Sequence, residues 1–291
     1  MKVYETKDIR NVVLVGHGHS GKTSIAAGAL FTSGATTRLT RVDEGNTPTD
    51  YDEEEVQRKL TISSGVAALE WAKKKINLLD TPGFNIFIND AKSALAAADA
   101  AFIVVDGVAG VEVTTEKVWG FCEEFELPRA IIINKLDRER SSFARALESI
   151  HAVFGRTAIP IHLPIGSEKD FKGIVDIMRM KSFTYTPDGD GKGKEGEIPA
   201  DLADAAKALH EELIELVAEG KDELMQEFFD TGTLPIEHII EGLDEAAREH
   251  RIFPVLCASS LHNIGTDQLL DFAIDAFPSP DQRGSVKGSV N

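Results

Sequence analysis

Cysteine is nearly absent from this sequence: Cys122 and Cys257 are the only two in 291 residues. They lie far apart and without metal-ligand spacing, so neither a disulfide framework nor a zinc site is indicated, and both are expected as buried, reduced thiols. Long apolar runs are missing too. No stretch approaches the roughly 18 uninterrupted apolar residues of a membrane span, and the opening MKVYETKDIR lacks the apolar core of a signal peptide. A cytoplasmic chain without a membrane partner is the expectation. There is no internal repeat. Basic charge is scarce in one region above all: between Glu195 and His250, 17 Asp or Glu stand against 3 Lys or Arg, a balance of −14 out of the chain's −17. Such a surface cannot cradle nucleic-acid phosphate by itself, so any contact with RNA must come from elsewhere or through a basic protein partner. Plain solvation of charged helix faces is the other reading of the same acid.

With 42% hydrophobic and 27% charged residues, the chain can bury one sizeable core and carry a second, smaller unit. The first 160 residues alternate strands and helices. IRNVVLVG from Ile9, INLLD from Ile76, AAFIVVD from Ala100 and RAIIIN from Arg129 are short, unbroken and rich in β-branched residues, as strands buried on both faces should be. Between them, Thr23 to Leu30, Ile88 to Ala98, Val113 to Phe125 and Ser141 to Phe154 have helical apolar spacing and sit where right-handed crossovers would lie. The pattern predicts a doubly wound α/β sheet that binds its ligand at the carboxyl ends of the strands.

From about Pro160 the pattern changes. LPIGSEKDFKGIVDIMRMKSFTY reads as strands that pair with one another, DGDGKGKEGE from Asp188 as a polar glycine-rich loop, and three acidic amphipathic helices follow up to His250. IFPVLCASS from Ile252 is again a buried-strand run, with the helical DQLLDFAIDAF after it. Residues 160–251 are therefore expected to be an inserted acidic α+β subdomain, flanked by 1–159 and 252–280 as one domain, with 281–291 as a flexible tail.

Gly16-His17-Gly18-His19-Ser20-Gly21-Lys22-Thr23 matches G-x-x-x-x-G-K-[ST] between a strand and a helix, the context this phosphate loop requires. Its glycines let successive N–H groups turn toward phosphate oxygens, Lys22 reaches the outer phosphates and the Thr23 hydroxyl can ligate Mg²⁺, with Ser24 next in the helix. Asp80-Thr81-Pro82-Gly83 ends a neighbouring strand, placing Asp80 to hold magnesium through water and Gly83 to offer an N–H to the γ-phosphate. Asn134-Lys135-Leu136-Asp137 follows a later strand. There a carboxylate on Asp137 can accept from the N1–H and exocyclic amine of guanine, two donors that adenine does not offer in that arrangement. Asn134 and the stem of Lys135 would brace that loop, and Ser259-Ser260-Leu261 stands where a backbone N–H can meet the guanine oxygen. An ATP-specific reading would require the Asn134–Asp137 motif to be coincidence. Asp50 to Ile62 (DYDEEEVQRKLTI) is polar and acidic and lies between the first helix and the second strand; on residue type alone Thr61 there is an anonymous strand residue.

Together these motifs, with VDGVAGVEVTTEKVW, NKLDRERSSF, LPIGSEKDFKGIVDIMRMKSF and VLCASSLHNIG, resemble elongation factor G and its elongation-factor-G-like relatives over essentially the whole chain up to Pro280. The resemblance implies a P-loop GTPase domain with an inserted α+β subdomain, GTP or GDP bound with Mg²⁺, and hydrolysis that depends on the ribosome. It also implies a monomer whose acidic insertion faces ribosomal stalk proteins. Because the sequence runs out after DAFPSP, where that family continues, a piece of a longer parent is expected, unable to translocate by itself. The resemblance also implies that Asp50 to Ile62 is a loop ordered by the triphosphate, in which Thr61 supplies a second magnesium hydroxyl, and Lys22, Thr61, Gly83 and the position of Phe84 are implied as catalytic. Three residues depart from the family: Gly18 replaces an apolar residue, His19 replaces an aspartate, and Phe84 replaces the histidine that positions the attacking water. A phenylalanine can neither donate nor accept a hydrogen bond, so slow intrinsic hydrolysis is expected. A GTP-dependent binding module with negligible hydrolysis is the alternative.

Overall fold

A computed structural model describes residues 2–283; the expected tail from 284 onward lies outside the described residues. The chain runs β1 (Ile9–Gly16), α1 (Lys22–Thr32), α2 (Glu53–Arg58), β2 (Gly65–Trp71), β3 (Lys74–Asp80), α3 (Ile88–Ala97), β4 (Ala100–Asp106), α4 (Val113–Glu124), β5 (Arg129–Asn134) and α5 (Phe143–Phe154). It continues through the short β6 (Ala158–Pro160), β7 (His162–Ile165), β8 (Gly173–Asp176), β9 (Lys181–Thr184) and β10 (Lys194–Gly196), then α6 (Ala203–Ala218), α7 (Asp222–Thr231), α8 (Ile236–Arg248), β11 (Phe253–Cys257) and α9 (Thr266–Asp275).

One seven-stranded sheet has the order β2-β3-β1-β4-β5-β11-β6, and every pairing in it is parallel except β2 with β3. A second, four-stranded sheet, β10-β9-β8-β7, is antiparallel throughout. The parallel strands hide both faces because alternate residues feed two separate cores. Val12, Leu14, Phe102 and Val104 pack with Ile25, Leu30, Leu269 and Phe272 of α1 and α9. Val13, Val15, Ile103 and Val105 pack with Leu95, Val118 and Ile150 of α3, α4 and α5. The result is a three-layer α/β/α arrangement in which β1, β3, β5 and β11 all end at one edge. Both cysteines are free and buried; burial pushes the Cys122 thiol up to about 12 and raises Cys257 well above its ordinary value.

Four features depart from the sequence pattern. β2 (Gly65–Trp71) forms an antiparallel edge of the main sheet where no strand was expected. β6 adds a short edge strand directly before the second sheet, where no strand was expected. The Asp50–Ile62 segment, expected as a loop, contains the helix α2: Asp52 and Glu55 form a reciprocal capping box, and buried Glu55 also accepts from the backbone N–H of Ile62 and Ser63. The glycine-rich stretch from Asp188 is partly a strand, since Lys194–Gly196 pairs with β9.

The helices after the second sheet share a core with the main one. Leu213, Ile214, Val217, Ile239 and Leu243 belong to the same buried cluster as the α1 and α9 side chains, and Arg179 bridges from the second sheet to Asp275 of α9 at 2.5 Å. Leu243→Ala is therefore expected to lower global stability by about 2–5 kcal/mol, as large-to-small changes at fully buried sites do. Urea unfolding followed by circular dichroism and by the fluorescence of Trp71 and Trp119, both outside that helical region, should shift together. A separate early transition that leaves the tryptophans unmoved would contradict the shared core.

Candidate functional site

The strand ends converge on a cleft of about 580 Å³ lined by Gly18, His19, Gly21, Lys22, Thr23 and Ser24 on one side, by Thr81, Gly83 and Phe84 beside them, and by Lys135, Asp137, Ser260 and Leu261 at the far end. Gly16, His17, Ser20, Asp80, Pro82, Asn134 and Ser259 stand behind this lining. Two glycines are required by close approach. Gly16 has φ +145° and a Cβ there would run into the Val104 carbonyl; Gly21 has φ +100° and a Cβ would displace the Asn134 amide. His19 and Lys135 are held at φ 63° and 62°, left-handed conformations uncommon for such residues.

Lys22 is buried, and its ammonium donates to the carbonyls of Gly16 (3.2 Å) and His17 (2.9 Å). Burial lowers its pKa to about 8, against the pull of Asp80. The Thr23 and Thr61 hydroxyls lie 2.9 Å apart, and Thr61 Oγ1 donates to Asp50 Oδ1 at 2.8 Å. Asp80 is fully buried and accepts from Thr49 Oγ1 at 2.8 Å through Oδ2, while its Oδ1 has no partner. Burial raises its pKa to about 6, opposed by the Thr49 and Thr23 hydroxyls. Thr81 Oγ1 donates to the Leu14 carbonyl (2.6 Å), which locks the turn after β3 onto β1.

At the other end, the Asn134 amide donates to the Ser20 carbonyl (2.8 Å) and faces Ser260 Oγ (2.9 Å), and its Oδ1 accepts from the Ser260 N–H (2.9 Å). Lys135 Nζ donates to Asp106 Oδ2 at 2.7 Å. Asp137 reaches the cleft with its Oδ1 buried and unpartnered. His17 instead turns to α4: its Nδ1 accepts from the Thr114 N–H (3.4 Å), with Glu112 3.5 Å from its Nε2.

The three departing residues touch one another. The Phe84 ring meets the His19 ring edge-on, 5.1 Å between centroids at 88°. A Cβ on Gly18 would lie 3.1 Å from Phe84 Cε1 and Cζ, so the ring occupies the space that a side chain at position 18 would need.

Several groups at the cleft escape sequence reasoning. Asp50, which lines it and holds Thr61, and Thr49, which holds Asp80 from behind, come from a segment whose spacing has no period. Val42, Asp43, Arg58, Lys59, Leu60 and Arg138 complete the wall; of these only Arg58, Lys59 and Leu60 fall in DYDEEEVQRKLTI, the polar segment singled out from the sequence. Among the described residues no group of three or more His, Cys, Asp or Glu has metal-holding geometry. A magnesium ion here would rest on two threonine hydroxyls, the Asp80 carboxylate and oxygens of its own ligand. The orphaned Asp80 oxygen beside Thr23 fits that role, and the orphaned Asp137 oxygen fits a base that brings donors.

Residues 7–279 match the family described as Elongation factor Tu GTP binding domain. The chain is 36% identical over 280 residues to elongation factor G of Thermotoga petrophila, and equally to that of Thermotoga sp. strain RQ2; each match covers 96% of this chain and 40% of the relative. A crystal structure from Thermus thermophilus aligns with a TM-score of 0.87 at 34% identity, over 94% of this chain and 41% of that one. The chain thus spans about 40% of the length of the curated relatives it matches. With a mostly parallel sheet, a phosphate loop between β1 and α1, and sequence similarity along nearly its whole length, this chain belongs to the elongation factor Tu GTP-binding domain family.

Proposed function

We propose that the cleft binds GTP and GDP with Mg²⁺ and that the chain is the nucleotide-binding part of an elongation-factor-G-like translation factor in the cytoplasm, hydrolysing GTP slowly by itself and faster on the ribosome. The observation that carries this reading is the pair of buried, unpartnered carboxylate oxygens at one cleft, Asp80 Oδ1 behind its lining beside Thr23 and Asp137 Oδ1 in the lining at the other end. Buried polar atoms of a folded protein are rarely left unsatisfied without a role. Asp80, Thr23 and Thr61 would hold the metal, which when bound neutralises phosphate charge. Lys22 and the turned backbone of Gly18 to Gly21 would hold the phosphates, and Gly83 would meet the γ-phosphate. Asp137 would read guanine, with Asn134, Lys135 and the Ser259–Leu261 turn shaping the base end.

The organisation proposed is a G domain of residues 1–159 and 252–280 interrupted by the acidic unit 160–251, a surface suited to a basic partner such as the ribosomal stalk proteins that the family resemblance implies. A second reading, a GTP-dependent binding module with negligible hydrolysis, is favoured by the contact of Phe84 with Gly18 and His19. An apolar ring where hydrolysis needs an oriented water excludes water instead.

Replacing Asp137 by Asn should exchange guanine for xanthine preference, because the amide presents a donor where guanine has its amine. Calorimetry should show GDP affinity falling by about 100-fold or more while XDP affinity rises. Equal binding of ADP and GDP to the unaltered chain would refute the assignment.

Asp80→Asn should act in opposite directions on stability and on ligand binding. The carboxyl's pKa is raised by burial, with Asp50 adding to the rise and Lys22 opposing it. Its charge therefore destabilises the fold above about pH 6, and that penalty fades as the pH falls toward the ordinary value of 3.8. The ligand-free variant should melt higher than the parent at pH 8, on the order of 2 kcal/mol more stable, with the gap closing near pH 4. Magnesium-dependent GDP affinity should fall. A variant that melts lower at pH 8 would show that the carboxylate is compensated in the fold.

Phe84→His in the full-length parent should raise ribosome-stimulated GTP hydrolysis by about tenfold or more, short of the full effect of a positioned group because Gly18 and His19 remain. If the parent already hydrolyses GTP on ribosomes as fast as the variant, another group orients the water and the catalytic deficit assigned to Phe84 is wrong.

A further inference from the structure

The segment between α1 and β2 touches the cleft at both ends. Near the phosphate end it supplies Thr61, against Thr23, and Thr49, on Asp80. Earlier in the same segment Arg41 reaches the base end. Its Nη1 donates to the Leu261 carbonyl at 3.2 Å and its Nη2 to Asp188 Oδ1 at 2.8 Å, so one planar guanidinium holds two partners in fixed relation. Asp188 Oδ1 lies 3.2 Å from His262 Nδ1, and the Asp188 N–H donates to the His262 carbonyl at 3.0 Å. The other nitrogen of that ring, Nε2, stands 3.9 Å from Asp137 Oδ2. Hydrogen bonds therefore run from Arg41 through Asp188 to His262, and the His262 ring stands beside the carboxylate assigned to guanine, at a distance where charge and packing but no direct hydrogen bond can act.

Asp188 does not belong to a loose tether. The glycine-rich loop between β9 and β10 is pinned to the main domain: the Gly189 carbonyl accepts from Asn263 Nδ2 (3.3 Å), and the Gly193 N–H donates to Asp267 Oδ2 (2.8 Å). Gly191 fits so closely between Thr32 and Asn263 that a Cβ would meet both side chains. The loop is thus a fixed anchor at the outer wall of the base end.

We propose that Arg41, Asp188 and His262 are positioning residues for base selection: by restraining the Asp137 carboxylate and the Leu261 backbone, they set how strongly the site distinguishes guanine from a base that lacks the 2-amino group. The inference rests on reading the cleft as a guanine nucleotide site. A carboxylate that accepts from both N1–H and the 2-amino group must present two oxygens at a defined angle, whereas hypoxanthine asks for one. Loss of the restraint therefore falls on the second contact. Asp188, contributed by the region between the second sheet's strands, then shares in selectivity although it does not line the cleft.

The test measures binding of GDP and IDP, each with magnesium, to the unaltered chain and to Arg41→Ala, Asp188→Ala, His262→Ala and Arg41→Lys by calorimetry, alongside melting temperatures. All three positions are partly exposed, so the fold should tolerate the changes. Expected is a GDP-to-IDP preference that narrows by about threefold to tenfold in each alanine variant, mainly through weaker GDP binding. Arg41→Lys should restore little, because one ammonium cannot reproduce the fork. Equal weakening of GDP and IDP would assign these residues a merely structural role, and unchanged binding of both would assign them none; either result overturns the proposal. If the unaltered chain binds ADP as well as GDP, the guanine reading itself falls and this inference with it.

Discussion

Asn134 has no solvent-exposed surface, yet two distant parts of the chain are tied to its side chain through three groups: the carbonyl of Ser20 in the phosphate loop and both the hydroxyl and N–H of Ser260 after β11. A buried amide left without partners is costly, so these bonds must form together or the strand end cannot be buried at all. The approach is close enough that Gly21 can carry no side chain. Through this one amide the Gly16–Lys22 turn and the Ser259–Leu261 turn are fixed relative to each other, and β5 and β11, adjacent and parallel, supply the rigid base from which it acts. The cleft between them inherits its length from that spacing.

Against this satisfied centre, the groups that face ligand are left with unmet capacity. Asp80 is buried at the sheet edge with one oxygen unpartnered, and Lys22 is buried with its ammonium hydrogen-bonded to the carbonyls of Gly16 and His17 and to no carboxylate. Both have pKa values displaced by burial in the direction that disfavours their charges. Such placements oppose stability in the free chain and strengthen electrostatic interaction with a ligand that brings opposite charge into a low-dielectric site. The walls that complete the cleft come from the irregular segment after α1, held by threonine hydroxyls on carboxylates and not by apolar packing. That chemistry suits an element whose position answers to what the cleft contains.

Gly18, His19 and Phe84 are separated by up to 66 positions in sequence but form one contact in space. The absence of a side chain at 18 makes room for the ring at 84, and the ring at 19 packs its neighbour edge-on. The three positions are therefore one packing unit, in which an aromatic pair covers the phosphate loop. Changing one member alters the environment of the other two, so the effects of substitutions there will not add.

Much of the architecture was legible from the residues alone. Unbroken β-branched runs marked the central strands because a parallel sheet covered on both faces demands them, and the bounds of β4 and β5 coincide with AAFIVVD and RAIIIN. The motifs that hold Lys22, Thr23, Asp80 and Asp137 were legible because each follows a strand-length apolar run, and the structure brings those strand ends to one edge of the sheet. The short β6 and the helix α2 were not legible: a three-residue edge strand carries no periodicity, and α2 is held by a capping box and a buried glutamate amid residues that are otherwise polar. Nor were the roles of Thr49, Asp50 and Arg41, since hydrogen bonds between segments far apart in sequence leave no local pattern. By itself, then, the sequence determined the layered sheet, the order of the motifs and the chemistry each can offer, because those follow from local composition and spacing. Only the tertiary structure decided that Phe84 lies against Gly18 and His19, that the glycine-rich loop is pinned to the main domain, and that Arg41 meets Asp188 and Leu261, because each depends on distant segments being brought within contact distance by the packing of the whole.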